Sequence, residues 1–262
     1  MHTLLGIYTI WYRDILRFWH DKVRLMGTIT FPLLFLFVFG SGLSARMGSL
    51  GAGIDFVQFM FPGIIGMTVL MSSFSAGMSV VWDREFGFLK EVLVAPISRS
   101  SVAIGKTLGA ATVALLQGLL ILVLAPLIGV SFSVGSILAV LPLMLLLAAT
   151  MGSLGILLAT RIRSMEAFQA VMQMLLFPMI FLSGVFFPLE GQPAWMNVLV
   201  KLNPATYGIA PIRQVILGVS TDSPFSIDLF GHTMSLWDNV AVLAGFGLVT
   251  LLLAIWSFGN QE

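Results

Sequence analysis

The sequence predicts an all-α polytopic membrane protein with about six transmembrane helices, and two observations carry that expectation. Of its 262 residues 58% are hydrophobic and only 10% charged, with a mean hydropathy of +1.01. Soluble domains run near a quarter charged, so a chain this poor in charge cannot cover a water-facing surface. The charged residues are also unevenly spaced, and the intervals between them match the roughly 20 apolar residues that a helix needs to cross a bilayer.

Those intervals place the spans. Arg24 and Arg46 bracket the first, Asp55 and Asp83 the second, Glu166 and Glu190 the fifth, and Asp238 and Glu262 the sixth; each interior is about 21 to 27 residues, enough for one helix. Between Lys106 and Arg161 run about 54 uncharged residues, which is two helices joined by a turn in Gly129-Val130-Ser131-Phe132-Ser133-Val134-Gly135. The expected spans are 25–43, 58–82, 103–128, 135–159, 167–187 and 239–258.

Translocating basic loops is disfavoured, so Lys and Arg orient the chain. Arg13, Arg17, Lys22, Arg24, Arg84, Lys90, Arg99, Lys106, Arg161 and Arg163 gather on one side, against Arg46, Lys201 and Arg213 on the other. Both termini are expected in the cytoplasm, as an even span count also requires. The first apolar run is too long, and its leader too acidic at Asp14 and Asp21, for a cleaved signal peptide ending near Ala45.

Residues 1–24 read as an amphipathic helix. Leu4, Tyr8, Trp11, Ile15 and Phe18 form its apolar stripe, and Arg13, Arg17, His20 and Arg24 a polar one. With Trp11 and Trp19 at headgroup depth and Arg13 and Arg17 beside phosphates, the helix is expected in the plane of the membrane. Packing on a partner is the other reading. His2, His20 and His232 are too dispersed for a metal site.

Residues 83–102 form a charged loop on the same side. Asp83, Arg84, Glu85, Lys90 and Glu91 end the second span, Phe86, Leu89 and Leu93 share one face of a short helix around Gly87, and Pro96 closes it before Arg99. An apolar stripe outside the membrane needs a cover, which the lipid interface or a soluble protein would each supply. On the other side, residues 188–238 are too apolar for disorder. A short helix is expected at Trp195–Leu199 and, after the Asn203-Pro204 break, a second from Tyr207 to Leu217 carrying Arg213.

Other chemistries lack their residues. With 13 basic and 12 acidic residues and no basic run, nucleic acid is excluded as a partner, and without cysteine there is no thiolate or disulfide. The string Ser100 to Thr107 lacks the first glycine of a phosphate-binding loop and follows no strand. Ser72, Ser73 and Ser75 have no activating base in their span and read as packing residues. No charge is expected inside a span, which argues against a proton-coupled carrier. Gln117, Gln169 and Gln173 are the polar positions that line a path or join helices, and Gly105 and Gly109 form a small-residue packing pair.

The run Asp83-Arg84-Glu85-x-Gly87-x-Leu89-Lys90, then Pro96-x-Ser98-Arg99, resembles the first cytoplasmic loop of type-2 ATP-binding-cassette (ABC) exporter permeases, among them the daunorubicin-resistance and nodulation-factor export subunits. The N-terminal helix, Leu182-Ser183-Gly184-Val185-Phe186-Phe187-Pro188 and Asn203-Pro204-x-Thr206-Tyr207 ahead of Arg213 follow in family order. One departure is Ile209-Ala210-Pro211-Ile212, where many relatives carry an acid shortly before the arginine.

The resemblance implies a single permease domain over 1–262 that pairs with a second copy, identical or paralogous, and with two cytoplasmic ATPase subunits holding ATP and Mg. The chain itself would bind no cofactor or metal and catalyse nothing. Residues 83–99 would be the coupling helix, and the outer helices would dip into the lipid and cap the conduit. An amphipathic, lipid-linked or drug-like substrate would leave through a path between two copies in the cell membrane. A free-standing carrier or channel and a membrane assembly factor are the alternatives.

Overall fold

The computed structural model describes residues 2–47, 55–85, 99–130, 133–189, 191–219, 226–229 and 232–259. Among them the chain forms α1 (His2–His20), α2 (Lys22–Met47), α3 (Phe56–Phe74), α4 (Ala76–Glu85), α5 (Arg99–Leu122), α6 (Val134–Arg161), α7 (Met165–Leu182), α8 (Ala194–Leu202), α9 (Pro204–Leu217) and α10 (Leu236–Gly259). A two-residue antiparallel pairing, β1 (Asp228–Leu229) with β2 (His232–Thr233), is the one element that an all-helical expectation omits among these residues.

Among the described residues five stretches are long and apolar enough to cross a membrane: Phe56–Glu85, Ser100–Leu122, Val134–Arg161, Met165–Leu182 and Leu236–Ser257. The span expected at 25–43 falls on α2, whose apolar stretch runs Met26–Val38. Local chemistry sets the helix ends. Ser133 Oγ accepts from Ser136 N at 3.0 Å and Ser164 Oγ from Ala167 N at 3.2 Å, each meeting an open amide of a first turn. The third span stops earlier than expected, at Leu122, and residues 125–128 tighten into a 3₁₀ turn containing Pro126. The fifth also stops short of 187, because Gly184 turns left-handed at φ 76° just past Leu182. Pro32, Pro62, Pro142 and Pro178 all lie inside helices.

Helix α6 is the centre of the bundle, packed by α10, α5, α3, α9 and α4. It meets α3 and α4 most closely where their common axis breaks at Ser75: a β-carbon on Gly77 would strike the Gly155 carbonyl, and one on Gly155 the Phe74 carbonyl. Small residues let helix backbones approach where hydrocarbon gives no hydrophobic drive to associate. Hydroxyl pairs join α6 to α10. Ser153 meets Thr250 at 2.7 Å and Thr160 meets Ser257 at 2.7 Å, one heptad further along both helices. The two helices therefore run parallel, and their C-terminal ends share one end of the bundle. That end also holds Arg84, whose guanidinium reaches the last carbonyls of α6.

The amphipathic N-terminal helix forms, but it lies along α5. A β-carbon on Gly105 would stand 3.1 Å from Ile10 Cβ, and one on Gly109 would stand 3.1 Å from Asp14 Cβ, so the small-residue pair of α5 seats α1. The packed face includes Ile10, Asp14 and Phe18, while Leu4 and Tyr8 of the expected stripe are exposed. The expectation treated the apolar side as a flat lipid contact; a groove made by two glycines selects a neighbouring face instead.

Candidate functional site

Two features of the bundle bear on function, one at each end. At the end shared by Arg84 and Ser257, the side chains of Asp83 and Lys106 are 3% and 2% exposed, and Lys106 Nζ donates to Asp83 Oδ2 at 2.5 Å. Lys106 also donates to Ser79 Oγ at 2.9 Å. Arg13 of α1 reaches the same carboxylate oxygen at 3.2 Å and Asp14 at 3.4 Å. Two cations and two carboxylates thus balance in charge, the condition under which ions are tolerated away from water.

The expectation that no charge lies within a span does not hold. Asp83 falls inside Phe56–Glu85 and Lys106 inside Ser100–Leu122. Asp83 stood just outside the expected span 58–82, whereas Lys106 already lay within the expected 103–128; a pair that neutralises itself escapes a rule that weighs each charge alone.

Arg13 therefore faces inward, not toward lipid phosphates, and Trp11 is half-buried with its indole N–H on Thr112 Oγ1 at 3.0 Å. Arg17 and Trp19 remain exposed. Arg84, which the resemblance places in the coupling helix 83–99, donates to the carbonyls of Ala159 at 3.3 Å, Ile162 at 3.1 Å and Thr160 at 3.4 Å. It is a cation at a helix C-terminus, where open carbonyls and the macrodipole favour positive charge. Glu85 is exposed and Arg99 opens α5. Phe86, Gly87, Leu89, Lys90, Glu91, Leu93 and Pro96 lie outside the described residues. What is described are the two helix ends that flank them. On one side Asp83 and Arg84 are bound to α1, α5 and α6; on the other, α5 is held to α1 and α4.

The opposite end explains the Asn203-Pro204-x-Thr206-Tyr207 motif. Asn203 Oδ1 accepts from Ala205 N at 3.1 Å and so caps α9, while its Nδ2 donates to Met179 O at 2.7 Å. Thr206 Oγ1 shares its one proton between Val200 O at 3.0 Å and Leu182 O at 3.4 Å, and Tyr207 Oη donates to Lys201 O at 2.6 Å. Burial pushes the Tyr207 phenol above its ordinary value, so it stays a donor. Arg213, 1% exposed, donates to Gly184 O at 2.5 Å and holds its guanidinium 4.2 Å from the Phe59 ring centre. The motif and Arg213 together thus satisfy carbonyls left open at and after the end of α7, those of Met179, Leu182 and Gly184. Pro204 opens α9 at the first helical position, where its missing N–H costs nothing.

Among the described residues no carboxylate pairs with Arg213, consistent with the apolar Ile209-Ala210-Pro211-Ile212 before it. Gln214 Nε2 and Asn239 Oδ1 are also buried without a partner. Trp195 is exposed on α8, and Trp237 at the start of α10.

The three glutamines are not brought together. Gln117 is 4% exposed and lines an open groove between α2, α3 and α5. Gln169 and Gln173 sit on the exposed side of α7 with Met174, Phe177 and Phe181. No three His, Asp or Glu residues gather in a metal-binding group among the described residues; His232 contacts Asp238 at 3.2 Å. Sequence reasoning missed the roles of Ser79, Asp14 and Lys106, although the spacing of Ser79 and Asp83 on one helical face was the available signal.

Residues 6–217 match the model of the ABC-2 type transporter family. The chain belongs to that family. Among its relatives, the putative transport permease ycf38 of Cyanophora paradoxa is 29% identical over 239 residues, covering 88% of this chain and 81% of the relative. The inner membrane transport permease YadH of Escherichia coli K12 is 28% identical, over 82% and 84% of the two chains. Nodulation protein J of Rhizobium meliloti strain 1021 is 27% identical, over 80% of each. This ABC-2 chain is therefore an integral membrane permease subunit of an ABC transporter, and membership implies association with an ABC ATPase subunit. The case against a free-standing carrier rests on this membership, now that a buried ion pair stands within the spans.

Proposed function

We propose that the protein is half of an ATP-driven exporter, in which two copies enclose the path and residues 83–99 of each seat on a cytoplasmic ATPase subunit that holds ATP and Mg. The reading is supported chiefly by the base of that loop. A loop rooted in flexible helix ends would absorb a push from the ATPase; one whose roots are joined to α1, α5 and α6 by buried ion pairs and carbonyl contacts transmits it. Apolar Phe86, Leu89 and Leu93 would supply affinity in a groove of the ATPase, and Glu85, Lys90 and Glu91 orientation.

The end of the bundle carrying Arg84, Arg161 and the C-terminus of α10 is then cytoplasmic, and α8 and α9 form the outer cap over an amphipathic, lipid-linked or drug-like cargo. The second copy is supported by α7, whose outward face sets Gln169 and Gln173 among apolar side chains. Amides facing hydrocarbon leave donors and acceptors unmet, whereas amides from two copies satisfy one another.

The decisive experiment is gentle purification from the native membrane. A soluble subunit with a phosphate-binding loop should copurify near stoichiometry, with ATPase activity that falls in Leu89→Asp and Gly87→Trp while membrane insertion is unchanged. Purification as a lone protein that moves substrate without ATP would overturn the reading.

A further inference from the structure

Arg213 lies where four helices meet the turn that follows α7. Val185 of that turn is sealed against α3, where a β-carbon on Gly63 would stand 2.9 Å from the Val185 backbone and 3.2 Å from Arg213 Nη2. Phe186 of the same turn holds its ring centre 5.3 Å from that of Phe35 on α2 and 5.0 Å from that of Phe181 on α7. Arg213 reaches the turn from α9 through one bond, to Gly184 O at 2.5 Å. Residues 183–187 thus tie α2, α3, α7 and α9 together.

As a brace, that bond is poorly matched to its surroundings. An arginine keeps its charge in a folded protein and carries five N–H donors. Here Nε and Nη1 are buried without an acceptor, and Ile209-Ala210-Pro211-Ile212 bring no acid. The charge is offset by one carbonyl and by the face of Phe59, 4.2 Å away. A buried charge with so little compensation favours any arrangement that returns it to water. Lifting residues 183–187 from α3 and α9 is such an arrangement, because the turn supplies both the acceptor and, at Val185 beside Gly63, part of the cover. We infer that Arg213 biases the turn 183–187 toward opening, which makes this turn a gate at the outer end of the bundle. The inference rests on the exporter reading for what the gate serves, an exit beside α7; the opening itself belongs to one chain and is tested without an ATPase.

A brace and a release differ in sign, and the chain has no cysteine, so one introduced thiol reads the difference. Ser183→Cys, at a position 1% exposed where the turn begins, is placed in the purified chain in phosphatidylcholine nanodiscs and labelled with a charged maleimide that does not enter lipid. Ser153→Cys, equally buried between α6 and α10, is the control for opening of the whole bundle. Where reclosing outpaces labelling, the rate reads the open population. Ser183→Cys should label about tenfold faster than Ser153→Cys, or more. Adding Arg213→Met or Arg213→Gln removes the charge and should slow labelling at Ser183→Cys by about tenfold, with a higher thermal midpoint. Arg213→Lys keeps the charge and should label no more slowly than the parent. Were Arg213 a brace, loss of its bond to Gly184 would speed labelling and lower the midpoint in both neutral variants. Faster or unchanged labelling in either neutral variant, a lower midpoint in either, or Ser183→Cys as slow as Ser153→Cys would each overturn the gate. None of these results touches the exporter reading, which would fail instead on the absence of a copurifying ATPase.

Discussion

Lys106 of α5 and Asp83 of α4 form a contact of 2.5 Å between the two helices that flank residues 86–98, with both side chains almost sealed from solvent. Removing one partner of a buried pair costs roughly 3–5 kcal/mol when the other charge is left without a counter-ion, and here Arg13, 3.2 Å from the same carboxylate oxygen, offsets part of that loss. Lys106→Met should therefore lower stability by less, about 2 kcal/mol. Asp83→Asn/Lys106→Met should recover much of it, because the under-compensated carboxylate is gone while Arg13 keeps Asp14. Thermal midpoints in one detergent, compared across the single and double variants, measure the coupling; additive losses would show that the pair does not act as a unit.

The seat of α1 on α5 is equally specific. A β-carbon at Gly105 meets Ile10 Cβ and the Ile7 carbonyl at 3.1 Å, a distance that a small shift accommodates, whereas a longer side chain has nowhere to go. Gly105→Ala should be tolerated within about 1 kcal/mol, and Gly105→Leu should lift α1 from α5. Limited proteolysis would show it as faster cleavage within residues 2–20, with the remaining helices protected. Unchanged protection in Gly105→Leu would mean that α1 is held by Arg13 and Trp11 alone.

How far the sequence carried this result depends on the interaction involved. Span positions were legible because hydrocarbon thickness and charge exclusion act on composition along the chain, and the left-handed Gly129, the helix start at Val134 and the Asn203-Pro204 break sit where local chemistry puts them. The depth of Lys106 was not legible, since its tolerance depends on Asp83, about 23 residues away along the chain. The same holds for Arg84 and Arg213. Each read as an ordinary loop or interfacial cation, and each proves to cap a helix remote in sequence: Arg84 the end of α6, Arg213 the turn after α7. Gly105 and Gly109 were visible as a packing pair, but nothing in one sequence names the helix that fills it.

Asn203 serves two helices, capping α9 through its carbonyl and the end of α7 through its amide. Losing an N-cap costs about 1 kcal/mol, and leaving the Met179 carbonyl unmet costs about 1 kcal/mol more. Asn203→Ala should therefore destabilise by about 2 kcal/mol. Asn203→Asp separates the two roles: it keeps the cap of α9 but sets a carboxylate against the Met179 carbonyl, so it should be no better than Asn203→Ala. A thermal midpoint for Asn203→Asp equal to wild type would show that the contact to Met179 contributes nothing.

The outward face of α7 gives the last test. Gln169 and Gln173 lie about one turn apart on an exposed side that is otherwise apolar at Met174, Phe177 and Phe181. If they face lipid, Gln169→Leu/Gln173→Leu removes two unsatisfied amides and should raise stability with no change in mass. If they face a second copy, the double variant removes interhelical hydrogen bonds worth about 0.6–2 kcal/mol each, and the equilibrium should shift toward the single chain by about tenfold or more. Native mass spectrometry from detergent, run alongside thermal melts, separates the two: the proposed dimer requires the second result, and a more stable variant of unchanged mass would place α7 against lipid and leave the path without this wall.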